Sequence, residues 1–378
     1  MMYTRPGFAW VVALATMAAI PTAIPTAIPT ANADHEPATQ PARKSLRVYM
    51  MGNSITDAVN YKAFDGMVSS GGDVLFYGRH TWAGAPLQSL EENPDRGHHD
   101  NELAGAAKPR GWAETLDGYA WDAVTFQPFD RQIVDTFDTK GDLGRVQVFV
   151  REALKNEENR DTRFYIYSRW PRRGKWTDKA FPDFNFRESW EATYTFDGGW
   201  NGTIESRDFF QTLVDKLNAP GVLPDELEHP VRLIPVGDVF NALDRKAEQG
   251  QVPGIDGIAD LYTDHIHVNA MGKFIVATTF YATLYRKDPA GLTARWHEGD
   301  ETFPEGFKQV VQETVWDVVA GHPYSGVPAP PETPESPEPA ETPETSETAD
   351  AQPASDQLGD DAIGDHQPPA GQPEPIGD

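Results

Sequence analysis

Leu46-Arg47-Val48-Tyr49-Met50-Met51 runs without a break into Gly52-Asn53-Ser54-Ile55-Thr56-Asp57. The first six residues are apolar but for one arginine and suit a pleated strand, whereas the next six are a polar turn that leads toward a helical pattern over residues 61–69. A buried strand, a turn and a helix are the repeating parts of a parallel sheet. Short apolar runs recur at residues 74–77, 123–126, 163–167 and 232–236. They alternate with helix-like stretches at 61–69, 143–155, 209–217 and 239–248, and a last helical pair spans 270–284 and 304–319. The pattern predicts an α/β fold whose five strands form a parallel sheet covered by helices on both faces. In such sheets ligands bind at the carboxyl ends of the strands, so functional residues are expected after strands and not before them.

The ends of the chain are of a different character. Residues 1–33 have a basic start at Arg5, an apolar stretch over 8–20 and a small-residue Ala31-Asn32-Ala33 site, which reads as an export signal. Pro21, Pro25 and Pro29 interrupt the apolar run before the ~20 residues that a membrane span needs, so no span is expected after cleavage. Residues 34–44 read as a short linker and 45–325 as one large domain. Residues 326–378 carry 13 acids and no Lys or Arg among repeated Pro-Glu pairs, the composition of a disordered tail with a solubilising or spacing role. The expected location is therefore secreted or periplasmic.

Charge and cysteine content exclude several functions. Of the formal net charge of −26, the tail holds −13 and Arg5 offsets one, leaving −14 on residues 34–325. That balance argues against a nucleic-acid partner, which needs a basic face. With no cysteine, disulfides, thiol nucleophiles and Cys-based metal sites are all absent.

Two stretches break the strand–helix alternation, residues 92–118 and 170–200, and both follow strands. The second mixes Trp170, Trp176, Trp190, Tyr194 and Trp200 with Arg172, Arg173 and Arg187, just after Arg169. Aromatic rings beside arginines suit a sugar ring or a polar ester; they also serve as ordinary packing. Trp82, Trp170 and Arg169 are the candidate substrate contacts.

A serine at the strand-to-helix turn, such as Ser54, lies at the top of the sheet beside free backbone N–H groups that can stabilise an oxyanion. Taken alone, it reads equally as a helix cap, with Thr56 and Asp57 as alternatives. Far along the chain, Asp264-His265-Ile266-His267-Val268-Asn269-Ala270-Met271-Gly272 precedes the helix that closes the pattern. An aspartate three residues before a histidine on a tight loop can orient the imidazole, which in turn takes a proton from a serine hydroxyl. His265 and His267 also form an H-x-H pair that, with His98, His99 or Asp100, would be the place to look for a metal; no metal and no cofactor are expected.

GNSIT at Gly52–Thr56 resembles the first block of the SGNH (GDSL-like) hydrolases, and DHIHVNAMG resembles their last block. The resemblance spans most of residues 45–287. It implies a three-layer α/β/α sandwich of flavodoxin-like order with a five-stranded parallel sheet. It also implies Ser54 as nucleophile, Asp264 as acid and His267 as general base. Ala83-Gly84-Ala85-Pro86-Leu87 is similar to the second block, which implies that the Gly84 N–H joins that of Ser54 in an oxyanion hole. The third block departs: where the family presents an asparagine, residues 121–130 read WDAVTFQPFD, and Gln127 stands in its place with the same amide on a longer stem. Asn53 replaces the commoner aspartate.

The function that follows is hydrolysis of an oxygen ester through an acyl-serine, with short acyl groups on carbohydrate as the favoured substrate. Acyl transfer or lipid ester cleavage would use the same intermediate. A carbohydrate-binding surface protein on a catalytically weak copy of the fold is the reading from another class.

Overall fold

The computed structural model describes residues 43–105, 111–134, 140–174, 184–195, 205–293 and 303–329. The expected signal, most of the acidic tail, Trp176 and Trp200 lie outside these residues. No helix among the described residues is long and apolar enough to cross a membrane.

Among the described residues the sheet has six strands: β1 (Ser45–Gly52), β2 (Val74–Thr81), β3 (His98–Asn101), β4 (Ala123–Phe126), β5 (Arg163–Tyr167) and β6 (Arg232–Ile234). Their order is β3-β2-β1-β4-β5-β6. Five are parallel, in the expected places, and β4 is buried on both faces, which is why it reads as an unbroken apolar run. The expectation of a five-stranded, purely parallel sheet is corrected by β3, an edge strand antiparallel to β2 with His98 opposite Thr81 and Asn101 opposite Gly78. Its sequence, His-His-Asp-Asn, has no strand propensity; it pairs because the turn before it returns the chain to an open edge.

The helices are α1 (Tyr61–Ser70), α2 (Leu87–Glu92), α3 (Trp112–Gly118), α4 (Gly141–Ala153), α5 (Phe186–Glu191), α6 (Arg207–Leu217), α7 (Val236–Glu248), α8 (Ala270–Tyr285) and α9 (Phe307–Gly321). Helices α1, α7, α8 and α9 pack on one another, while α2, α3, α4 and α6 form a second group. Helix α8 is buried from Phe274 through Tyr285 on every side, so it acts as a central pillar and not as an amphipathic cover. The stretch over 92–118 was read as irregular; it holds β3, α3 and a short 3-10 turn.

β1 lies between β2 and β4, and the chain turns left from β1 to β2 and right to β4. That reversal leaves a crevice above the carboxyl ends of β1 and β4, the place where ligands bind in open α/β sheets. Gly52 ends β1 at this crevice. A Cβ there would lie 2.8 Å from the Gln127 Cβ and closer still to the Thr56 Oγ1, so only glycine lets the next turn pack down. Gly52→Ala is expected to cost about 1–3 kcal/mol through overpacking, read as a lower urea midpoint with an unchanged slope.

Candidate active site

Ser54 follows β1 in a tight turn, and a 3-10 turn over Thr56–Val59 comes next, ended by left-handed Asn60 at φ 52°. Between the serine and α1, which starts at Tyr61 as expected, the chain makes only this single short turn. Any dipole it offers is small, and individual N–H groups carry the electrostatics. Asn53 organises the turn. Its wholly buried side chain accepts from the Ile55 N–H at 2.9 Å and donates to the Ala85 carbonyl at 3.0 Å. The donor half of that pair requires an amide; a carboxylate at this position has no hydrogen to give Ala85.

The other half of the site is the loop between Tyr262 and Val268, which face each other in an isolated antiparallel bridge. The Thr263 N–H bonds the His267 carbonyl at 2.8 Å, closing the loop tightly. Inside it, Asp264 Oδ1 accepts the N–H groups of Ile266 at 2.8 Å and His267 at 2.7 Å, while Oδ2 meets the His267 Nδ1 at 2.7 Å. His267 Nε2 then lies 2.8 Å from the Ser54 Oγ. Burial raises the Asp264 pKa, but the two backbone donors and the imidazole outweigh it and hold the carboxyl at about 2. The carboxylate is therefore ionised at any working pH and fixes a proton on Nδ1, leaving Nε2 to accept from the serine. Thr56 is wholly buried, and Asp57 accepts from Arg79 at 2.8 Å, Tyr61 at 3.0 Å and Thr81 at 3.2 Å. Of the three candidates in the turn, Ser54 alone meets an imidazole.

Gly84 takes φ +70°, a conformation that side chains resist, and it is exposed beside the Ala85 carbonyl that Asn53 grips. Among the described residues the N–H groups of Ser54 and Gly84 have no acceptor. Backbone N–H groups without an acceptor, one on Ser54 and one in the turn that Asn53 ties to the serine turn, are the kind of donor a tetrahedral oxyanion needs. Gln127 departs from expectation. Its side chain is wholly buried beneath Gly52 and Thr56, with Nε2 directed at the Pro128 carbonyl. The longer stem lets the amide fold back onto its own strand end, so it is not presented as a third donor.

Two expected substrate contacts are also corrected. Arg169 is 1% exposed, bound to Asp130 at 3.0 Å and Glu205 at 2.5 Å, with its guanidinium 4.7 Å from the Phe129 ring. Arg172 joins the same two carboxylates and covers Phe129 at 4.9 Å. Trp170 is wholly buried and stacked on Phe240 at 4.9 Å; it backs the cleft without offering an exposed face. Trp190 is likewise core, and Arg187 pairs with Asp244 and Glu248. Trp82 remains partly open, with Arg96 5.7 Å above its ring.

What the sequence did not disclose is a clamp. The Trp170 Nε1–H donates to the Ile266 carbonyl at 2.7 Å, the Arg173 N–H to His265 at 2.8 Å, and the Tyr262 hydroxyl to Pro171 at 2.7 Å. These bonds tie residues 170–173 to both sides of the Asp264–His267 loop, and the buried Arg–Asp–Glu cluster anchors the clamp in turn. A pair of histidines lies apart from the site: His80 and His99 both direct Nε2 at the Arg96 carbonyl, and burial lowers the His80 pKa to about 4. Among the described residues no group of three or more His, Cys, Asp or Glu side chains gathers as metal ligands.

Ser54, Ile55, Asp57, Ala58, Trp170, Thr263, His267, Val268, Asn269 and Lys273 line a cleft of about 320 Å³. Comparison with known proteins adds the fold. No protein-family model and no curated protein matches the chain. A DUF4886 family protein from Bacteroides uniformis is similar in structure at 11% identity, with a TM-score of 0.50, over 73% of this chain and 95% of that one. A GDSL-like lipase from Bacteroides thetaiotaomicron matches at 12% identity and a TM-score of 0.32, over 64% of this chain and 88% of that one. The chain thus shares its α/β fold with the Bacteroides uniformis structure, and its own sheet has five parallel strands and one antiparallel edge strand.

Trp170→Phe keeps the ring on Phe240 but orphans the Ile266 carbonyl. The expected result is a fall in kcat of roughly tenfold with KM within about twofold, measured on any turned-over ester. The dependence of kcat/KM on pH is expected to show no break from loss of the Asp264 carboxylate above about pH 2. Because the Asp264 pKa is depressed, its carboxylate keeps orienting the ring as pH falls.

Proposed function

We propose that the protein is a serine esterase that hydrolyses short acyl esters, with carbohydrate as the favoured alcohol. The observation that carries this reading is the unbroken chain from Asp264 through His267 to Ser54, opening on a cleft that Ser54 and His267 line. Ser54 attacks the ester carbonyl as His267 Nε2 takes its proton, and the N–H groups of Ser54 and Gly84 hold the oxyanion. The imidazolium returns the proton to the departing alkoxide, leaving an acyl-serine. Water, deprotonated by the same ring, then releases the acid and restores Ser54.

The modest volume of the cleft and its apolar corner of Ile55, Ala58 and Val268 favour a small acyl group over a long chain. Carbohydrate as the alcohol rests on the expected export and on the open Trp82, since Arg169 is paired and Trp170 is buried. A slower enzyme is in keeping with the burial of Gln127, because one oxyanion donor is worth about 3–4 kcal/mol. The same burial is what favours the second reading, glycan binding without turnover.

Turnover of 4-nitrophenyl acetate, butyrate and octanoate by residues 34–378 tests both. The expected order is acetate fastest and octanoate slowest, with Ser54→Ala and His267→Ala reduced at least about 10³-fold while keeping the parent's circular dichroism. A parent that binds glycan but turns over no ester would establish the second reading, and full activity in Ser54→Ala would sink the first.

A further inference from the structure

The catalytic cleft holds two charged side chains besides the catalytic pair, and they are in opposite situations. Asp57 is saturated by Arg79, Tyr61 and Thr81. Lys273 is partly buried in the cleft wall, and among the described residues its ammonium has neither a hydrogen bond nor an ion pair. Its backbone N–H bonds the Asn269 carbonyl at 2.9 Å, which places it in the first turn of α8. A cation there is opposed by the helix dipole, and that turn contains no acidic residue to offset it. The surrounding domain is strongly acidic, with −14 on residues 34–325, yet none of that charge is directed at this ammonium among the described residues.

A lysine placed against the dipole and left unpaired inside a reaction cleft breaks a local rule without a structural gain, and such departures mark functional positions. What would satisfy Lys273 is an anion brought by the substrate. A partly buried ammonium is poorly hydrated on its protein side, so a carboxylate that reaches it gains a charge-assisted hydrogen bond at little extra desolvation cost.

Resting on the esterase reading above, we propose that the preferred substrates carry a carboxylate within a few bonds of the scissile ester, as in an acetylated uronic acid, and that Lys273 pairs with it. The carboxylate takes no part in bond making. It holds the ester carbonyl over Ser54, so the interaction is present in the ground state and is read mainly in KM.

The test compares matched esters on the full secreted chain. Mono-O-acetyl methyl glucuronoside against mono-O-acetyl methyl glucoside places the charge on the alcohol side; 4-nitrophenyl hemisuccinate against 4-nitrophenyl butyrate places it on the acyl side. Wild type is expected to favour the charged member of one pair by about tenfold in kcat/KM, with Lys273→Met abolishing that ratio and Lys273→Arg keeping most of it. Which pair shows the preference identifies the side of the ester that carries the charge. Equal use of both members of both pairs by wild type, or a ratio unchanged in Lys273→Met, overturns the assignment and leaves the esterase reading standing. Failure of wild type to cleave any of the four esters removes the esterase reading and this one with it.

Discussion

A single 2.8 Å hydrogen bond, His267 Nε2 to Ser54 Oγ, joins residues 213 positions apart, and most of the fold can be understood as what makes that contact possible. A serine and an imidazole held within hydrogen-bonding distance lose much conformational freedom, and short local structure alone does not fix two such distant points. The parallel register of β1 with β2 and β4 fixes the first, and the buried pillar α8 fixes the second. Because α8 has no exposed stripe along most of its length, it cannot roll, and the loop at its N-terminus inherits its position.

That loop carries a second constraint in its hydrogen bonding. Asp264 spends one carboxylate oxygen on backbone N–H groups and keeps the other for the ring, so the same residue shapes the turn and sets the imidazole tautomer. The clamp from residues 170–173 takes up the outward-facing carbonyls of His265 and Ile266, and the Arg169 and Arg172 guanidinium groups hold the clamp through Asp130 and Glu205. Buried ion pairs of this kind contribute little net stability, since desolvation offsets attraction, but breaking one leaves an uncompensated charge. Their value here is geometric: they lock the chain after β5 against the chain after β4.

How much of this was legible follows from the range of each signal. Strands at 46–51, 123–126 and 163–167 can be read because a strand covered on both faces is predominantly apolar, a local property. β3 could not, because His98-His99-Asp100-Asn101 pairs through an available edge and not through its own side chains. Ser54, Asp264 and His267 were visible as two spaced blocks. Arg169 and Trp170 were visible as residues but not as roles, because whether an arginine faces substrate or a carboxylate depends on Asp130, 39 positions back, and for its neighbour Arg172 on Glu205, 33 positions on. Gln127 shows the limit most sharply. The extra methylene was noted, and only packing decides whether it extends the amide into the cleft or folds it under Gly52. Asn53 stands where aspartate is commoner, and only the structure shows that its donated bond to Ala85 joins the Ser54 turn to the Gly84 turn.

The charge distribution then sets two electrostatic ranges against each other. An acidic domain repels an anionic substrate at long distance, but at physiological ionic strength that field decays over about 8 Å. Inside the cleft, where water is partly excluded, Lys273 acts at contact and is screened far less. If Lys273 pairs with an anionic ester as proposed, that ester would gain nothing in approach and would gain on arrival, so selectivity for it would arise from residence in the cleft and not from the rate of encounter.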